Sequence, residues 1–436
     1  MRDPTHDLAL TSWVSSAQAM GTDFPIQNLP LGVFETADGS VGLGVAIGDQ
    51  VVDLCAAREA GLLAGLSAEA AATLEGHSLN ALVALGRPAL TAVRVGVQGM
   101  LRADTEAGRA AQRLPGLLHP MAGLRLRLPV EVGDYTDFYA SIDHATNVGS
   151  MFRPDNPLLP NYRHVPIGYH GRASSIVPTG TPVHRPMGQV SAKPEGPPTF
   201  APTARLDYEL EVGAVIGPGN AMGTPITLAD AEAHLAGLVL VNDWSARDVQ
   251  AWEYQPLGPF LAKNFATTIS PWLVTLDALA PYRVPARARM ADEPVPLPYL
   301  TDVRDQAQGG FDITLEVWIR TARMREAGTP AERLSHGSFA QMYWTLGQMV
   351  AHHASGGCNL RPGDLIASGT VSGPEQSSRG CLLELTWRGA EPVTFSNGET
   401  RAFLADGDEV IVRGWCAAPG RARIGFGECR GVVVGG

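Results

Sequence analysis

The sequence feature that most constrains the fold is an apolar run that carries acidic residues, Leu206-Asp-Tyr-Glu-Leu-Glu-Val-Gly-Ala-Val-Ile216. Its Leu, Val and Ile residues predict a buried strand. Side chains at positions i and i+2 of a strand share a face, so Glu209 and Glu211 point together while Leu210 points to the other side. Adjacent carboxylates repel each other, and burial strengthens the repulsion unless a cation joins them. The run therefore predicts a cation site in a sheet, with a solvent-facing strand edge as the alternative.

Two further carboxylates occur in similar surroundings. Asp243 ends the apolar run Leu238-Val-Leu-Val-Asn-Asp243, and Asp137 lies among aromatic residues in Asp134-Tyr-Thr-Asp-Phe-Tyr139. Four carboxylates without His or Cys form an all-oxygen ligand set, which favours Ca²⁺ or Mg²⁺ over Zn²⁺. Spacing alone leaves open whether the four residues meet in space.

Length, charge and cysteine usage exclude several classes of protein. A chain of 436 residues favours two or more domains, and 49 Gly with 33 Pro favour turns over long helices. A net charge of −11 argues against a nucleic-acid partner. No apolar run reaches the roughly 18 to 20 residues that span a membrane, and the first residues do not resemble a signal peptide. Five scattered cysteines fit reduced thiols, so we expect a cytoplasmic protein.

The secondary-structure pattern predicts a β-rich α+β fold in two domains, 1–129 and 130–436. Short strands at 31–34, 41–47 and 51–53 suggest a small meander, and 56–115 is predicted to be helical. After a boundary near Leu128-Pro129, strands outnumber helices. One helix is expected at 226–237 with Thr227 as N-cap, and the strands predicted there are 206–216, 238–243, 311–320, 364–372, 381–388, 401–404 and 409–415.

Longer motifs resemble the fumarylacetoacetase (fumarylacetoacetate hydrolase) family in its full-length two-domain form. The resemblance extends from about residue 15 to residue 430 and departs from the family pattern around 283–289 and 320–333. The runs that carry it are DFPIQNLPLGVF (23–34), DYTDFYASIDHATNVGSMFR (134–153), LLPNYRHVPIGYHGRASSIV (158–177), LDYELEVGAVIGPGN (206–220), VNDWSARDVQAWEYQPLGPFLAKNFATTISPW (241–272) and NLRPGDLIASGTVSG (359–373).

The resemblance implies both a fold and an activity. The fold is a small N-terminal SH3-like barrel followed by a β-roll-like catalytic domain that also forms a homodimer interface. The activity is hydrolysis of the carbon–carbon bond of 4-fumarylacetoacetate to fumarate and acetoacetate, the last step of phenylalanine, tyrosine and homogentisate catabolism. The implied cofactor is Ca²⁺ or Mg²⁺, and the implied partner is a small diketo acid.

The resemblance also implies roles for individual residues. The positions that match metal ligands and their neighbours are Asp137, Glu209, Glu211, Asp243, Lys263 and Thr267. The positions that match the general base and its carboxylate partner are His144 and Glu384. The positions that match oxyanion-stabilising groups are Arg247, Gln250 and Lys263. The positions that match substrate contacts are Tyr139, Arg153, Gln250, Tyr254 and Thr370.

These roles fit a hydrolytic mechanism. Ca²⁺ and Mg²⁺ acidify bound water less than Zn²⁺ does, so a separate base is needed, and an imidazole is suited to that task near neutral pH. Glu384 would orient the base, as in a hydrolytic triad. Arg247 and Gln250, at i and i+3, would share one face of a helical turn. Arg153 has the planar guanidinium that suits a substrate carboxylate.

Alternatives remain at this stage. Residue by residue, His144 could be a core histidine, Glu384 a solvent-facing strand residue, and Tyr139 and Tyr254 packing residues. For the whole chain, one alternative is a hydrolase of another 1,3-diketo acid, such as an acylpyruvate, although such relatives generally lack the N-terminal domain. An alternative from another class is a non-catalytic binding module stabilised by Ca²⁺.

Overall fold

The protein is represented by a computed structural model that describes residues 3–191 and 196–435. The described helices are short, as the Gly and Pro content predicts, and the longest has 15 residues. They are α1 Leu54–Glu59, α2 Ala68–Thr73, α3 Asn80–Ala84, α4 Arg87–Leu101, α5 Glu106–Ala111, α6 Ile142–Phe152, α7 Arg247–Glu253, α8 Leu276–Leu279, α9 Val303–Gln308, α10 Ala322–Glu326, α11 Leu346–Ala354 and α12 Leu382–Leu385.

Strands dominate the rest of the described chain. They are β1 Leu31–Glu35, β2 Val41–Ile47, β3 Gln50–Asp53, β4 Leu118–Pro120, β5 Arg125–Leu126, β6 Tyr135–Phe138, β7 Gly168–His170, β8 Ile176–Pro178, β9 Val183–His184, β10 Met187–Val190, β11 Thr199–Pro202, β12 Leu206–Asp207, β13 Leu210–Ile216, β14 Leu235–Asp243, β15 Ser245–Ala246, β16 Thr267–Ile269, β17 Trp272–Thr275, β18 Arg283–Val284, β19 Gly310–Phe311, β20 Thr314–Arg320, β21 Glu332–Ser338, β22 Leu365–Ala367, β23 Val393–Thr394, β24 Thr400–Arg401, β25 Glu409–Cys416 and β26 Ile424–Val434.

Most strands belong to two sheets. The larger sheet has the order β4-β3-β2-β1-β17-β14-β13-β22-β6-β7, with β5, β8 and β16 attached beside this path. The smaller sheet has the order β21-β20-β25-β26-β9. Neighbouring strands are mostly antiparallel, but β6 runs parallel to β22. The architecture is therefore mixed α/β and rich in sheet.

The central strands β13 and β14 are buried on both faces, which explains their nearly continuous apolar sequence. On one face, Val212 and Leu240 pack in the core shared with Val412 of the smaller sheet. On the other face, Val215 and Val241 pack in a second core with the N-terminal strands and helices. The polar ends of these strands then lie at the boundary between the two cores.

The N-terminal meander is confirmed, because β1, β2 and β3 pair as consecutive antiparallel strands. Within the described residues these strands do not close into a barrel. Instead, Leu31 and Gly32 of β1 pair with Leu273 and Trp272 of β17, which joins the meander to the larger sheet. The protein thus has two parts that share a sheet. Among the described residues, no helix has both the length and the hydropathy required to cross a bilayer.

Two of the predicted elements are wrong. The helix expected at 226–237 is only a 3₁₀ turn, Ala231–His234, because Leu235 already begins β14. Thr227 does not cap it but donates a hydrogen bond to Asp230 Oδ2 at 2.7 Å. The strand expected at 381–388 is instead the helical turn α12. In both cases long-range contacts outweigh the local apolar pattern.

Candidate active site

Four acidic residues lie together at one edge of the larger sheet. In the order β14-β13-β22-β6, Asp243 ends β14, Glu211 lies in β13 and Asp137 lies in β6. Alternation along the strands directs these side chains to the same face. Ala367 of β22 stands in register with Asp137 of β6 and with Gly213 of β13. Glu209 precedes β13, and its carbonyl accepts a hydrogen bond from the Asp243 amide at 3.2 Å.

This carboxylate cluster is crowded and buried. One oxygen from each of Asp137, Glu209, Glu211 and Asp243 lies within 4.8 Å of the others, and the most exposed of the four residues is Glu209, at 6%. Among the described residues, Asp137 Oδ1 and both oxygens of Glu211 have no hydrogen-bond partner. A buried carboxylate oxygen without a partner is strongly destabilising. The cluster therefore requires a further positive group.

The chain supplies two cations beside the cluster. Lys263 Nζ donates to Glu209 Oε2 at 2.6 Å and to Asp243 Oδ2 at 2.7 Å. Arg247 Nη1 donates to the other oxygen of Glu209 at 2.6 Å. Thr267, opposite Asp243 in the strand register, donates its hydroxyl to Asp243 Oδ1 at 2.8 Å. These contacts satisfy Glu209 and Asp243 but leave Asp137 and Glu211 uncompensated.

The pKa values reflect this uneven compensation. Burial, followed by the charges of Asp137 and Asp243, raises the pKa of Glu211 well above its usual value. Burial and the charge of Asp243 likewise raise the pKa of Asp137. Burial would also raise the pKa of Glu209, but Lys263 and Arg247 outweigh it and lower that pKa. Glu211 and Asp137 are therefore the two carboxylates that most need a bound cation.

The cluster has the composition and charge that a divalent metal ion requires. Its oxygens without hydrogen-bond partners belong to carboxylates, which are ligands that Ca²⁺ and Mg²⁺ prefer. Lys263 and Arg247 bring two positive charges to the four carboxylates, and Arg247 also pairs with Asp207, so at least two negative charges remain for a divalent cation to balance. The residues present could thus hold a metal ion in a fully buried, all-oxygen environment.

A histidine–carboxylate pair lies close enough to the cluster for the charge of His144 to help lower the pKa of Glu209. Ser141 is the N-cap of α6, and its hydroxyl accepts a hydrogen bond from the backbone N–H of His144, which fixes the first turn of that helix. His144 Nδ1 lies 2.6 Å from Glu384 Oε2, and both side chains are buried. Since an ionised carboxylate can only accept, Nδ1 carries the proton and Nε2 is left as the basic nitrogen.

Several groups keep Glu384 ionised. Burial would raise the pKa of Glu384, but the neighbouring His144 and hydrogen bonds from His144, Asn147 and Ser372 lower it to about 2. Asn147 Nδ2 donates to Oε1, and Ser372 Oγ donates to Oε2, both at 2.8 Å. Cys381 Sγ is 3.2 Å from Oε2. The orientation of the His144 ring is therefore fixed by a fully engaged carboxylate.

The predicted oxyanion group is only partly free to donate. Arg247 Nε and Nη1 are engaged by Asp207 and Glu209, whereas Nη2 is buried without a partner among the described residues. Gln250, one helical turn further along α7, accepts from Arg247 Nη1 at 3.2 Å, which leaves its amide NH₂ to donate. Arg247 and Gln250 do share one helix face, as their spacing predicted.

The predicted substrate contacts fall into an inner and an outer group. Tyr139 packs edge-on against His144 with ring centroids 5.2 Å apart, and Thr370 is buried with a hydroxyl that has no partner among the described residues. Tyr254 and Arg153 are exposed at the ends of α7 and α6, and Arg153 donates to the Pro157 carbonyl at 3.2 Å. The structure thus places Tyr139 and Thr370 near the chemistry and the other two at the surface.

Three site residues were not identified from the sequence. The Tyr169 hydroxyl lies 3.0 Å from Asp137 Oδ2 and 2.9 Å from Asp243 Oδ2, so its single proton is shared by the two carboxylates. Asn147 and Ser372 hold Glu384, as described above. Asn147 could have been found, because it is three residues after His144 and therefore on the same helix face. Tyr169 and Ser372 lie in loops and short strands whose spacing gives no such signal.

A basic imidazole beside an acidic cluster that can hold a divalent ion is the arrangement of a hydrolytic enzyme. Comparison with known proteins agrees. Residues 27–129 match the family profile "Fumarylacetoacetase N-terminal", and residues 134–434 match "Fumarylacetoacetate (FAA) hydrolase C-terminal". The chain therefore belongs to the fumarylacetoacetate hydrolase family, and it is a hydrolase.

Individual relatives cover almost the whole chain. The fumarylacetoacetase of Homo sapiens is 47% identical over an alignment of 426 residues, and the match covers 95% of this chain and 97% of that protein. The fumarylacetoacetase of Caenorhabditis elegans is 48% identical over 430 residues, 98% of this chain and 99% of that protein. A solved fumarylacetoacetate hydrolase from Exiguobacterium antarcticum is similar in fold, with a TM-score of 0.52 at 17% identity over 94% of this chain and 100% of that one.

Proposed function

We propose that the protein hydrolyses 4-fumarylacetoacetate to fumarate and acetoacetate, the final reaction of tyrosine and phenylalanine catabolism. The observation that carries the proposal is the proximity of two buried units, the His144–Glu384 pair and the carboxylate cluster, since the charge of His144 acts on the pKa of Glu209. One unit can activate water and the other can bind a metal ion. Relatives of nearly equal length bear the name of this activity.

The cluster would hold Ca²⁺ or Mg²⁺ through Asp137, Glu209, Glu211 and Asp243. When bound, such an ion would supply Lewis-acid stabilisation of the negative charge that develops on a diketo acid. Lys263, anchored by Glu209 and Asp243, adds a further positive charge at the carboxylate cluster. Charge that develops on the substrate is thereby stabilised in a water-poor site.

His144 is proposed to take the proton from the attacking water. Nε2 accepts this proton while Nδ1 stays bound to Glu384, which stabilises the imidazolium that results. Water attack on the carbonyl carbon forms an oxyanion, toward which Arg247 Nη2 and the Gln250 amide can donate. Cleavage of the carbon–carbon bond then releases the acetoacetate part as an enolate, which takes up a proton. Each removed oxyanion donor should cost about 10²- to 10³-fold in turnover.

Substrate profiling separates this function from the nearest alternative. We expect turnover of fumarylacetoacetate, measured as kcat/KM, to exceed that of a short acylpyruvate by at least about 10²-fold. The reason is that exposed Arg153, at the C-terminal end of α6, can pair with the distal carboxylate of the longer substrate. Arg153→Met should narrow this ratio. A preference for the acylpyruvate would favour the alternative activity instead.

We also propose that two copies of the chain form the working enzyme. An exposed apolar segment follows α7, in which Leu257 is 96% exposed and Phe260 is 67% exposed. Apolar side chains this exposed and this close together favour an interface. Sedimentation should give a dimer, and Leu257→Ser with Phe260→Ser should shift it to monomer. Because this segment directly follows α7, which carries Arg247, loss of the dimer should also lower turnover. A native monomer with full turnover would contradict this proposal.

The finer features of fold, domains and location are proposed on related grounds. The meander β1–β4 with β5 fits an N-terminal SH3-like unit within 1–129, and the two sheets around β13 fit a β-roll-like catalytic domain within 130–436. The five cysteines are free, which fits a reducing, cytoplasmic compartment. The expected binding partner of the protein is a small diketo acid.

A further inference from the structure

One buried carboxylate outside the cluster contacts both halves of the site. Asp207, at the end of β12, is 0% exposed. Its Oδ2 accepts from Arg247 Nε at 2.9 Å and from the Leu383 amide at 2.9 Å. Its Oδ1 accepts from the Leu382 amide at 2.8 Å. Neither the hydrolytic chemistry nor the metal set uses this residue.

The amide contacts make Asp207 the cap of the helical turn that carries Glu384. Leu382 and Leu383 are the first two residues of α12, and the N-cap residue Cys381 makes no side-chain cap hydrogen bond. Free N–H groups at a helix start need acceptors, and a carboxylate also suits the positive end of the helix. The cap therefore comes from a strand that is far away in sequence.

The Arg247 contact connects the same carboxylate to the opposite half of the site. Arg247 is held between Asp207 and Glu209, which leaves Nη2 as the unpaired donor. Because one rigid carboxylate binds both Arg247 and α12, it fixes where that donor stands relative to the His144–Glu384 pair. Displacements of about 1 Å in such constellations can cost 10²-fold in rate.

We propose that Asp207 is a positioning residue that holds the Arg247 donor in register with the Glu384-bearing helix and thereby sets the rate of the hydrolytic step. It acts through these two neighbours and not on the substrate. The inference rests on the proposed function, because it assigns Arg247 and Glu384 to one reaction.

Asp207→Asn weakens the Arg247 contact and keeps part of the cap. An amide oxygen in the place of Oδ1 can still accept from the Leu382 amide, but an amide nitrogen in the place of Oδ2 would face Arg247 Nε and the Leu383 amide, and two donors cannot pair. We expect kcat for fumarylacetoacetate to fall at least about 10-fold, with KM and Mg²⁺ affinity changed less than about 3-fold. The matched control is Asp248→Asn. Asp248 follows Arg247 on α7 and accepts hydrogen bonds from the Thr203 hydroxyl and the Ala204 amide. Its replacement should therefore leave kcat unchanged.

A double variant tests whether Asp207 acts through Arg247. Arg247→Met alone should lower kcat, and adding Asp207→Asn should lower it little further, since the contact is already lost. If the two single losses of kcat multiply in the double variant, or if Asp207→Asn keeps the native kcat, the inference is overturned. Asp207→Glu keeps the charge, and its lowered kcat at native KM would support the inference even if Asp207→Asn does not fold. Failure of both to fold would assign Asp207 to folding alone and would also overturn it.

The native protein distinguishes this inference from the function on which it rests. If native protein does not hydrolyse fumarylacetoacetate, the proposed function fails. If native protein does hydrolyse it and Asp207→Asn does so equally well, only the positioning role fails.

Discussion

Replacement of His144 by Ala is expected to lower kcat for fumarylacetoacetate by about 10²- to 10⁴-fold, the usual range for loss of a general base. The structural reason is that Nε2 of His144 is the basic nitrogen left free by the 2.6 Å contact between Nδ1 and Glu384. Initial rates at saturating substrate measure the effect. Metal affinity, measured by calorimetry, should stay at the native level, because no carboxylate of the cluster is changed.

A second substitution controls for the buried charge that this change leaves behind. His144→Asn retains a donor toward Glu384 but has no basic nitrogen, so it should be as inactive as His144→Ala and more stable. His352→Ala is the matched control, since His352 pairs with Tyr299 away from the site. Full hydrolysis by His144→Asn would remove His144 from the mechanism. If the native protein hydrolyses the substrate and the variant still binds it without hydrolysis, the alternative of a non-catalytic binding module is excluded.

Glu384 should behave as part of the same unit. Glu384→Gln is expected to lose most of the activity, because an amide can stabilise the wrong imidazole tautomer and cannot balance an imidazolium. Combined with His144→Ala it should cause little additional loss. Losses that multiply would show that the two residues act in separate steps.

Site residues that lie in a regular strand or helix were predictable from the sequence, because the spacing along such an element fixes which side chains share a face. Glu209 and Glu211 were found because strand alternation is a local rule that burial of β13 enforces. Arg247 and Gln250 were identified through the resemblance, and their i and i+3 spacing correctly predicted that they share one face of α7. The meander of β1 to β3 was predicted well, since turn residues separate its short strands.

The parts that were missed depend on contacts between distant segments. Residues 381–388 have a strand-like pattern, but Asp207 caps the start of α12 and stabilises a helical turn there. Residues 226–237 look helical, yet Leu235 onward is taken up by the buried strand β14. Tyr169 reaches Asp137 only because β7 pairs with β6. No local pattern encodes these pairings, so they were not predicted from the residues.

Removal of the metal ion is expected to make stability fall as the pH rises. Burial and the charges of Asp137 and Asp243 raise the pKa of Glu211 well above the ordinary value of 4.5. A carboxyl with a higher pKa in the folded protein binds its proton more tightly there than in the unfolded chain. Its contribution to the free energy of unfolding is therefore present below that ordinary value and is lost as the pH rises toward the folded pKa. Denaturant unfolding in chelator between about pH 5 and pH 7 measures this slope.

Saturating Ca²⁺ or Mg²⁺ should abolish this dependence of stability on pH and add about 4 kcal/mol of stability at 1,000 times the dissociation constant.

Glu211→Gln should stabilise the metal-free protein, whereas loss of a buried contact usually destabilises a protein. In chelator near pH 7 it should raise the free energy of unfolding by about 1–3 kcal/mol, because a neutral amide does not carry the free-energy cost of protonating or burying the Glu211 carboxylate at that pH. The same change should weaken metal binding at least about 10-fold. Glu391→Gln, at an exposed position, should alter neither quantity. A flat pH dependence in chelator, together with native metal affinity in Glu211→Gln, would mean that the cluster is neutralised within the chain itself and does not depend on a bound ion.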